Sequence, residues 1–244
     1  MLHGFDISAY DSDTAPAADF VIVKATEGSA YTSSRFAAQW RSAKSRAEHR
    51  GAYHFARPEA SSAASQASRF LDVVRPVPGE SVWLDLETSR LGQAKTNAWA
   101  RAWGDYVREH APKVTSGVYL GSAYAGNGTG RGLSEHFGRW WYPQYPGAYQ
   151  LRAGTDARTA RTANRSSSSP ERAPIAALTT RWPSAVTPWL PKTNTTGWRK
   201  PDIWQFTDNW KGLDADVTAL TLDELAGNGR STAAKLMRRL LRRG

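Results

Sequence analysis

Residues 82–87 read VWLDLE, a short apolar run that contains two acids, Asp85 and Glu87. A run of this kind predicts a buried strand of a parallel sheet. Because side chains two positions apart on a strand project from the same face, we expect both carboxyl groups to share one small volume. When two carboxyl groups lie this close together, their repulsion raises the pKa of one of them. That acid then stays protonated beside its ionised neighbour. Such a pair suits the cleavage of a glycosidic bond.

The run belongs to an alternation of strand-like and helix-like segments over the first 150 residues. Strands are predicted at 4–7, 20–25, 51–56, 81–87, 116–120 and 140–145, with a last strand at 202–206, and helices at 34–49, 62–74 and 95–110. This order predicts an α/β fold that closes into a TIM-like β/α barrel, with the functional site where the strands end. Helical spacing is weak after residue 150, so we expect an irregular barrel with some late helices missing.

Positive charge is concentrated in two segments of the chain. The net charge is +10, from 32 basic and 22 acidic residues. Residues 152–181 contain six arginines against two acids (6 − 2 = +4), and residues 230–244 contain six basic residues and no acid (+6). The remainder is balanced, with 32 − 12 = 20 basic and 22 − 2 = 20 acidic residues. A neutral body with basic appendages predicts adhesion to an anionic surface and argues against nucleic acid as a partner.

The composition also bears on the cellular compartment and on the domain organisation of the chain. Cysteine is absent, which excludes disulfides and thiolate metal sites. The N-terminus shows no basic region followed by an apolar core, so we expect synthesis in the cytoplasm without a signal peptide. We divide the chain into a catalytic barrel, residues 1–228, and a basic amphipathic tail, residues 229–244. Residues 153–174, rich in Arg and Ser, are expected to form a flexible insertion.

The tail is predicted to be a surface-binding helix. Its residues Leu236, Met237, Leu240 and Leu241 fall on one helical face, with cations opposite. Such a helix would bind anionic wall polymers or a membrane surface.

Four acids lie at or just after the ends of predicted strands: Asp6, Asp85, Glu87 and Asp214. In a parallel barrel these ends converge on one mouth, so residues distant in sequence would share a site. Asp6 or Asp214, taken alone, is better explained as a turn or helix-capping acid, but the four acids together favour a functional site.

Aromatic side chains accompany the acids. The chain has eleven tryptophans, and aromatic rings can stack on the apolar faces of sugars. Candidate substrate-binding residues are Tyr53, Phe55, Tyr119, Trp141, Tyr145, Trp204 and Gln205. The alternative for these rings is packing in the core.

Five segments, in this order, resemble the motifs of glycoside hydrolase family 25, the Chalaropsis-type muramidases that are common among bacteriophage endolysins. They are FDIS at 5–8, FVIVKATEG at 20–28, GAYHF at 51–55, WLDLE at 83–87 and IWQF at 203–206. The resemblance extends over residues 4–225, interrupted by the insertion. It implies an irregular β/α barrel that lacks some helices.

The resemblance also implies an activity and roles for the acids. The chain would hydrolyse the β-1,4 bond between N-acetylmuramic acid and N-acetylglucosamine in peptidoglycan glycan strands, with Glu87 as proton donor. Asp85 would steer the substrate N-acetyl group or face the anomeric carbon, while Asp6 and Asp214 complete the acidic cleft. The family's last motif commonly reads Asp-x-Asn, whereas this chain has Asp at both 214 and 216. Asp216 is therefore a rival for the fourth acid, although the spacing to residues 221–225 favours Asp214. Retention, inversion and assistance by the substrate acetamido group stay open.

The resemblance further implies a phage enzyme of host lysis that acts at the bacterial wall after its release. We expect a monomer that needs no cofactor and no metal.

Two other functions are weighed against hydrolysis of the glycan. A zinc amidase could use His3, His54, His110 and His136, but no HExxH spacing exists and these histidines are scattered. We expect His54 to line the cleft or bond to a neighbouring acid, and the other three to lie at the surface. A non-catalytic wall-binding protein would act through the basic tail and insertion.

Overall fold

A computed structural model describes residues 1–145, 182–183, 188 and 190–227 of the chain. The predicted insertion at 153–174 and the tail at 229–244 lie outside the described residues. Nine strands are described: β1 Leu2–Ile7, β2 Ala18–Glu27, β3 Tyr31–Thr32, β4 Ala47–Phe55, β5 Ser81–Asp85, β6 Thr115–Tyr119, β7 Arg139–Pro143, β8 Ile203–Trp210 and β9 Leu213–Thr218. The helices are α1 Phe36–Arg46, α2 Ala63–Val74, α3 Gln93–His110, α4 Ser122–Asn127 and α5 Leu222–Leu225, with a 3-10 turn at Leu133–Glu135.

Eight of these strands close into a barrel. The ninth, β3, is not part of the closed barrel and pairs only with the end of β2. The strands β1, β2, β4, β5, β6, β7 and β8 are parallel neighbours in that order. The eighth strand, β9, is antiparallel to both β8 and β1 and completes the circle between them. The prediction of an irregular TIM-like α/β barrel is thus confirmed.

Alternating side chains of the strands build two layers. The outward residues, such as Val23 and Leu84, pack with the helices in the main core. The inward residues include Phe20, Trp83 and Trp141, which fill the barrel. Glycines make room for these rings, since a Cβ on Gly117 would lie 2.2 Å from the ring of Trp83. With the interior occupied by side chains, a substrate can reach the barrel only at its mouth.

The last part of the barrel differs from the prediction. The strand predicted at 202–206 continues to Trp210, and the chain then turns through Lys211 and Gly212 into β9. Both turn residues have positive φ, +53° and +89°, which is the geometry of a two-residue hairpin turn. In the described residues no helix joins β8 to β9, so this late connection lacks a helix, as expected. The strands β3 and β9 and the helices α4 and α5 were not predicted.

The helices otherwise follow the sequence pattern closely. The helix α1 ends at Arg46 instead of residue 49, because β4 begins at Ala47. Ser62 caps α2, with its side chain accepting a hydrogen bond from the backbone N–H of Ser65. Among the described helices, none is both long and apolar enough to span a bilayer.

Candidate active site

The four predicted acids lie at the mouth of the barrel. Asp6 is near the end of β1, Asp85 ends β5, and Glu87 follows two residues later. Asp214 is the second residue of the antiparallel strand β9 and pairs with Asp6 of β1, so it lies at the same end of the barrel. All four carboxyl groups lie near the hydroxyl of Tyr53. Burial is the largest cause of the raised pKa of Tyr53, and the negative charges of the four acids raise it further. The structure therefore brings together the acids that the sequence singled out.

Asp85 and Glu87 are neighbouring acids, of which Asp85 is buried and Glu87 is exposed. The strand β5 ends at Asp85, earlier than predicted, and the buried Leu86 fixes the next turn of the chain by donating its N–H to Tyr119 O at 3.0 Å. Burial raises the pKa of Asp85 well above its usual range, and the adjacent carboxyl of Glu87, in hydrogen-bond contact, raises it further. Glu87 itself is exposed to solvent. The expected pair of adjacent acids is present, and the pKa of Asp85 is raised.

Gln205 connects Asp6 to two tyrosines. Its Nε2 donates to Asp6 Oδ2 at 2.8 Å, and its Oε1 accepts from Tyr119 Oη at 2.8 Å and from Tyr145 Oη at 2.7 Å. Because the amide oxygen takes both hydroxyl protons, the amide nitrogen must face the carboxyl group of Asp6. This network fixes the orientation of Asp6 and of both rings.

Asp216, the rival for the fourth acid, lies beneath the mouth. It is fully buried, and its Oδ1 accepts a hydrogen bond from Trp141 Nε1 at 2.8 Å. Burial raises the pKa of Asp216 to about 7, and Asp6 lies in hydrogen-bond contact. Asp214 is only half-buried, and burial raises its pKa to about 6. Asp214 is thus the acid that a substrate can reach, while Asp216 supports Asp6 from below.

The predicted sugar-binding rings divide into three groups. Tyr53, Tyr119 and Trp141 are buried inside the barrel in edge-to-face contacts, with centroids of Tyr119 and Trp141 4.7 Å apart. Tyr145 is 45% exposed at the mouth, and Phe55 is half-buried there. The third group is Trp204 alone.

Trp204 does not join the acids. It packs in a separate cluster on the outer side of β8 and β9, and its ring lies 6.1 Å from that of Phe206. Since neighbouring residues of a strand face opposite sides, the inward position of Gln205 directs Trp204 outward. The expectation that Trp204 lines a glycan groove is not met by this placement.

An ion-pair network beside Asp85 was missed from the sequence. Lys24 Nζ lies 2.7 Å from Glu27 Oε2, and Arg57 Nη2 lies 2.7 Å from Glu27 Oε1. The charge of Lys24 opposes the rise in the pKa of Asp85. Both cations also lie 4.7 Å from the ring centroid of Phe55. A lysine inside the apolar run at 20–25 was the signal that could have pointed to this network.

The histidines take structural positions. His54 is buried outside the barrel interior, where Nδ1 contacts Thr26 Oγ1 and Nε2 contacts Gln66 Oε1, each at 2.8 Å. Its ring stacks on Trp103 at 6.2 Å. The expectation that His54 lines the cleft or bonds to an acid is therefore wrong, because its strand position points toward the helices. Within the described ranges, no group of three His, Cys, Asp or Glu could hold a metal ion.

Comparisons with known proteins agree with this barrel and its acidic mouth. The family model described as glycosyl hydrolases family 25 matches residues 4–161. The chain belongs to glycosyl hydrolase family 25. This family 25 chain is similar to the N,O-diacetylmuramidase of Chalaropsis sp, with 35% identity over 130 residues, 45% of this chain and 61% of that relative. The match thus spans less than two thirds of the curated relative.

Solved structures of family 25 and of endolysins share the fold. The muramidase from Trichobolus zukalii aligns with a TM-score of 0.65 and 25% identity over 93% of this family 25 chain and 98% of that chain. The catalytic domain of an endolysin from bacteriophage P40 of Listeria monocytogenes aligns with a TM-score of 0.56 and 15% identity. That alignment covers 93% of this chain and 98% of the endolysin domain, and shows the fold alone.

Proposed function

We propose that the chain hydrolyses the β-1,4 bond between N-acetylmuramic acid and N-acetylglucosamine in peptidoglycan. The observation that carries the proposal is the barrel mouth, where the exposed Glu87 and the buried Asp85 lie together with Asp6 and Asp214, close enough that all four charges raise the pKa of Tyr53. Family membership and the muramidases among its relatives support the same activity.

Glu87 is the proposed proton donor, because it is the member of its pair that a bound sugar can touch. A glycosidic oxygen needs a proton as its bond to the anomeric carbon breaks. After the first step the resulting carboxylate would take a proton from water as a general base. Asp85, buried beside it with a raised pKa, limits the negative charge around the leaving group.

The position of Asp85 bears on the mechanism. Direct displacement needs two carboxyl groups about 5 to 5.5 Å apart for retention, or about 6.5 to 9.5 Å apart for inversion. Asp85 is buried next to Glu87, and its Oδ1 has no hydrogen-bond partner in the described residues. We therefore propose that Asp85 orients the acetamido group of the substrate, which assists the cleavage.

The remaining polar groups would hold the glycan strand. Asp214 is half-buried at the mouth, and Tyr145 presents an exposed ring whose hydroxyl is fixed by Gln205. A fixed ring offers an apolar face to a sugar, and fixed carboxyl groups accept hydrogen bonds from its hydroxyls. No metal or cofactor enters the proposed reaction.

The variant Glu87→Gln tests the proposal. The amide keeps the shape of the side chain but cannot supply a proton, so we expect the rate of hydrolysis to fall at least about 100-fold. The measurement is release of reducing ends from purified peptidoglycan, followed by borohydride reduction and mass spectrometry of the fragments. The wild-type chain should yield fragments that end in reduced N-acetylmuramic acid.

Glu109→Gln is the matched control, because Glu109 is an exposed carboxylate on α3. It should hydrolyse peptidoglycan at the wild-type rate. Fragments ending in reduced N-acetylglucosamine, or free amino groups released by a chelator-sensitive activity, would instead indicate a glucosaminidase or a zinc amidase. Binding without any cleavage would indicate a non-catalytic wall-binding protein.

We also propose that the enzyme serves phage lysis and reaches the wall from the host cytoplasm. The catalytic domain of a phage endolysin shares its barrel fold. Cells that produce the chain internally should keep a stable optical density and clear rapidly once chloroform permeabilises the membrane. Clearing before permeabilisation would contradict this route.

A further inference from the structure

A pocket opens on the rim of the barrel beside the acids. It has a volume of about 410 Å³ and is lined by Arg57, Glu59, Thr88, Ser89 and Arg90. Its residues come from the segments that follow β4 and β5, so they belong to the same end of the barrel as the acidic mouth. Thr88 directly follows Glu87 in the chain. A group bound in this pocket would therefore sit next to the proposed proton donor.

Arg57 is held rigidly at one side of this rim pocket. Its Nε and Nη2 donate to Glu27 Oε1 at 2.9 and 2.7 Å, and its Nη1 donates to Thr88 Oγ1 at 3.1 Å. The guanidinium carbon also lies 4.7 Å from the ring centroid of Phe55. A guanidinium fixed in this way loses little freedom when it binds a further acceptor.

Arg90 is the second cation that lines the rim pocket. It is exposed, and its guanidinium makes no hydrogen bond or ion pair with any residue in the described part of the chain. The acid of the pocket, Glu59, accepts only the backbone N–H of Arg90, at 3.5 Å. Because Glu27 already pairs with Arg57, Arg90 is the cation of the rim pocket that can bind an added anion, whereas the neighbouring mouth is lined by acids.

We propose that the rim pocket binds a carboxylate attached to the muramic acid next to the cleaved bond. This inference rests on the proposed function. The sugars of the glycan are uncharged, and the lactyl arm of muramic acid, or the peptide joined to it, carries the carboxylates. An anion near four acids is repelled unless cations lie close, and arginine pairs with a carboxylate through two parallel hydrogen bonds. The rim pocket would hence distinguish muramic acid from a plain chitin-like strand.

The test compares Arg90→Gln with wild type on two forms of one substrate. The first is native peptidoglycan, and the second is the same material with its carboxylates converted to amides by carbodiimide and ammonia. On native substrate we expect the variant to raise KM about fivefold with kcat unchanged, since an exposed ion pair is worth up to about 1 kcal/mol. On amidated substrate the variant and wild type should have the same KM, because the partner charge is gone.

Arg41→Gln is the control variant, because Arg41 is exposed on α1, away from the rim pocket. It should match wild type on both substrates. An equal effect of Arg90→Gln on native and amidated substrate, or no effect on either, overturns the inference. If wild type releases no reducing ends from any form, the proposed function fails instead.

Glycan strands stripped of their peptides separate the two sources of the carboxylate. In native peptidoglycan the lactyl carboxyl forms an amide bond wherever a peptide is attached, so an effect on native strands that is lost on stripped strands identifies a carboxylate of the peptide. An effect that also appears on stripped strands, where the lactyl carboxylate is free, shows that the rim pocket takes this group too. Raising the salt concentration should shrink the effect in both cases, because an exposed pair is screened.

Discussion

Asp216 shows most clearly how one residue sets the charge balance under the site. Its carboxyl is fully buried against Trp141 and Asp6, and burial raises its pKa to about 7 from an ordinary 3.8. A raised pKa in the folded state adds stability that is present below pH 3.8 and is lost as the pH rises through about 7. The ionised carboxylate of Asp216 therefore destabilises the folded state at alkaline pH.

The variant Asp216→Asn should remove this cost. The amide stays neutral and can keep the bond from Trp141 through its oxygen, so we expect a higher melting temperature than wild type at pH 8 and little difference at pH 3. The gain is about 2 to 4 °C for each kcal/mol in a chain of this size. Differential scanning calorimetry at both pH values measures it. The control is Asp72→Asn, at an exposed position on α2, which should show no such pH-dependent gain in melting temperature. An Asp216→Asn protein that is less stable than wild type at pH 8 would refute the argument.

The strand β9 explains what the sequence could and could not predict at the level of elements. Its residues alternate, with Leu213, Ala215 and Val217 facing the outer cluster and Asp214 and Asp216 facing the barrel interior. Period-two alternation after a Lys-Gly turn predicts a hairpin strand. The strand was missed because its polar side chains face the barrel interior, where the site lies, and its apolar side chains face outward. A half-buried strand usually shows its polar face to solvent instead.

Strand alternation also sorts the predicted site residues. Tyr53 and Phe55 are two apart on β4 and reach the same end of the barrel, and Glu87 is two residues after Asp85, so spacing alone could bring the members of each pair together. Trp204 and Gln205 are adjacent, so only one of them could face the acids, and the structure selects Gln205. The contact of Gln205 with Asp6 joins residues 199 positions apart. Such a contact depends on barrel closure, which no local pattern specifies.

The distribution of charge decides how the whole molecule approaches its substrate. The net charge is +10, and the six basic residues of 230–244 contribute more than half of it. The body without these residues and without 152–181 is neutral, with 20 basic and 20 acidic residues. A neutral body has little long-range attraction for an anionic wall, so any electrostatic attraction must come from the two basic segments.

We propose that the tail at 230–244 tethers the enzyme to anionic wall polymers or membrane lipids, and its removal tests this. Truncation after Gly229 should weaken binding to purified walls at least tenfold at low salt, because each basic residue near an anionic surface contributes about 1 kcal/mol. The loss should shrink as salt rises, since screening already weakens the intact chain. Changing the six basic residues to Gln, with Leu236 and Leu240 kept, separates charge from apolar contact. Cosedimentation with walls measures binding, and cleavage of a soluble glycan fragment should be unchanged. If the truncated chain binds walls as tightly as the intact chain, and with the same salt dependence, the tail is no tether.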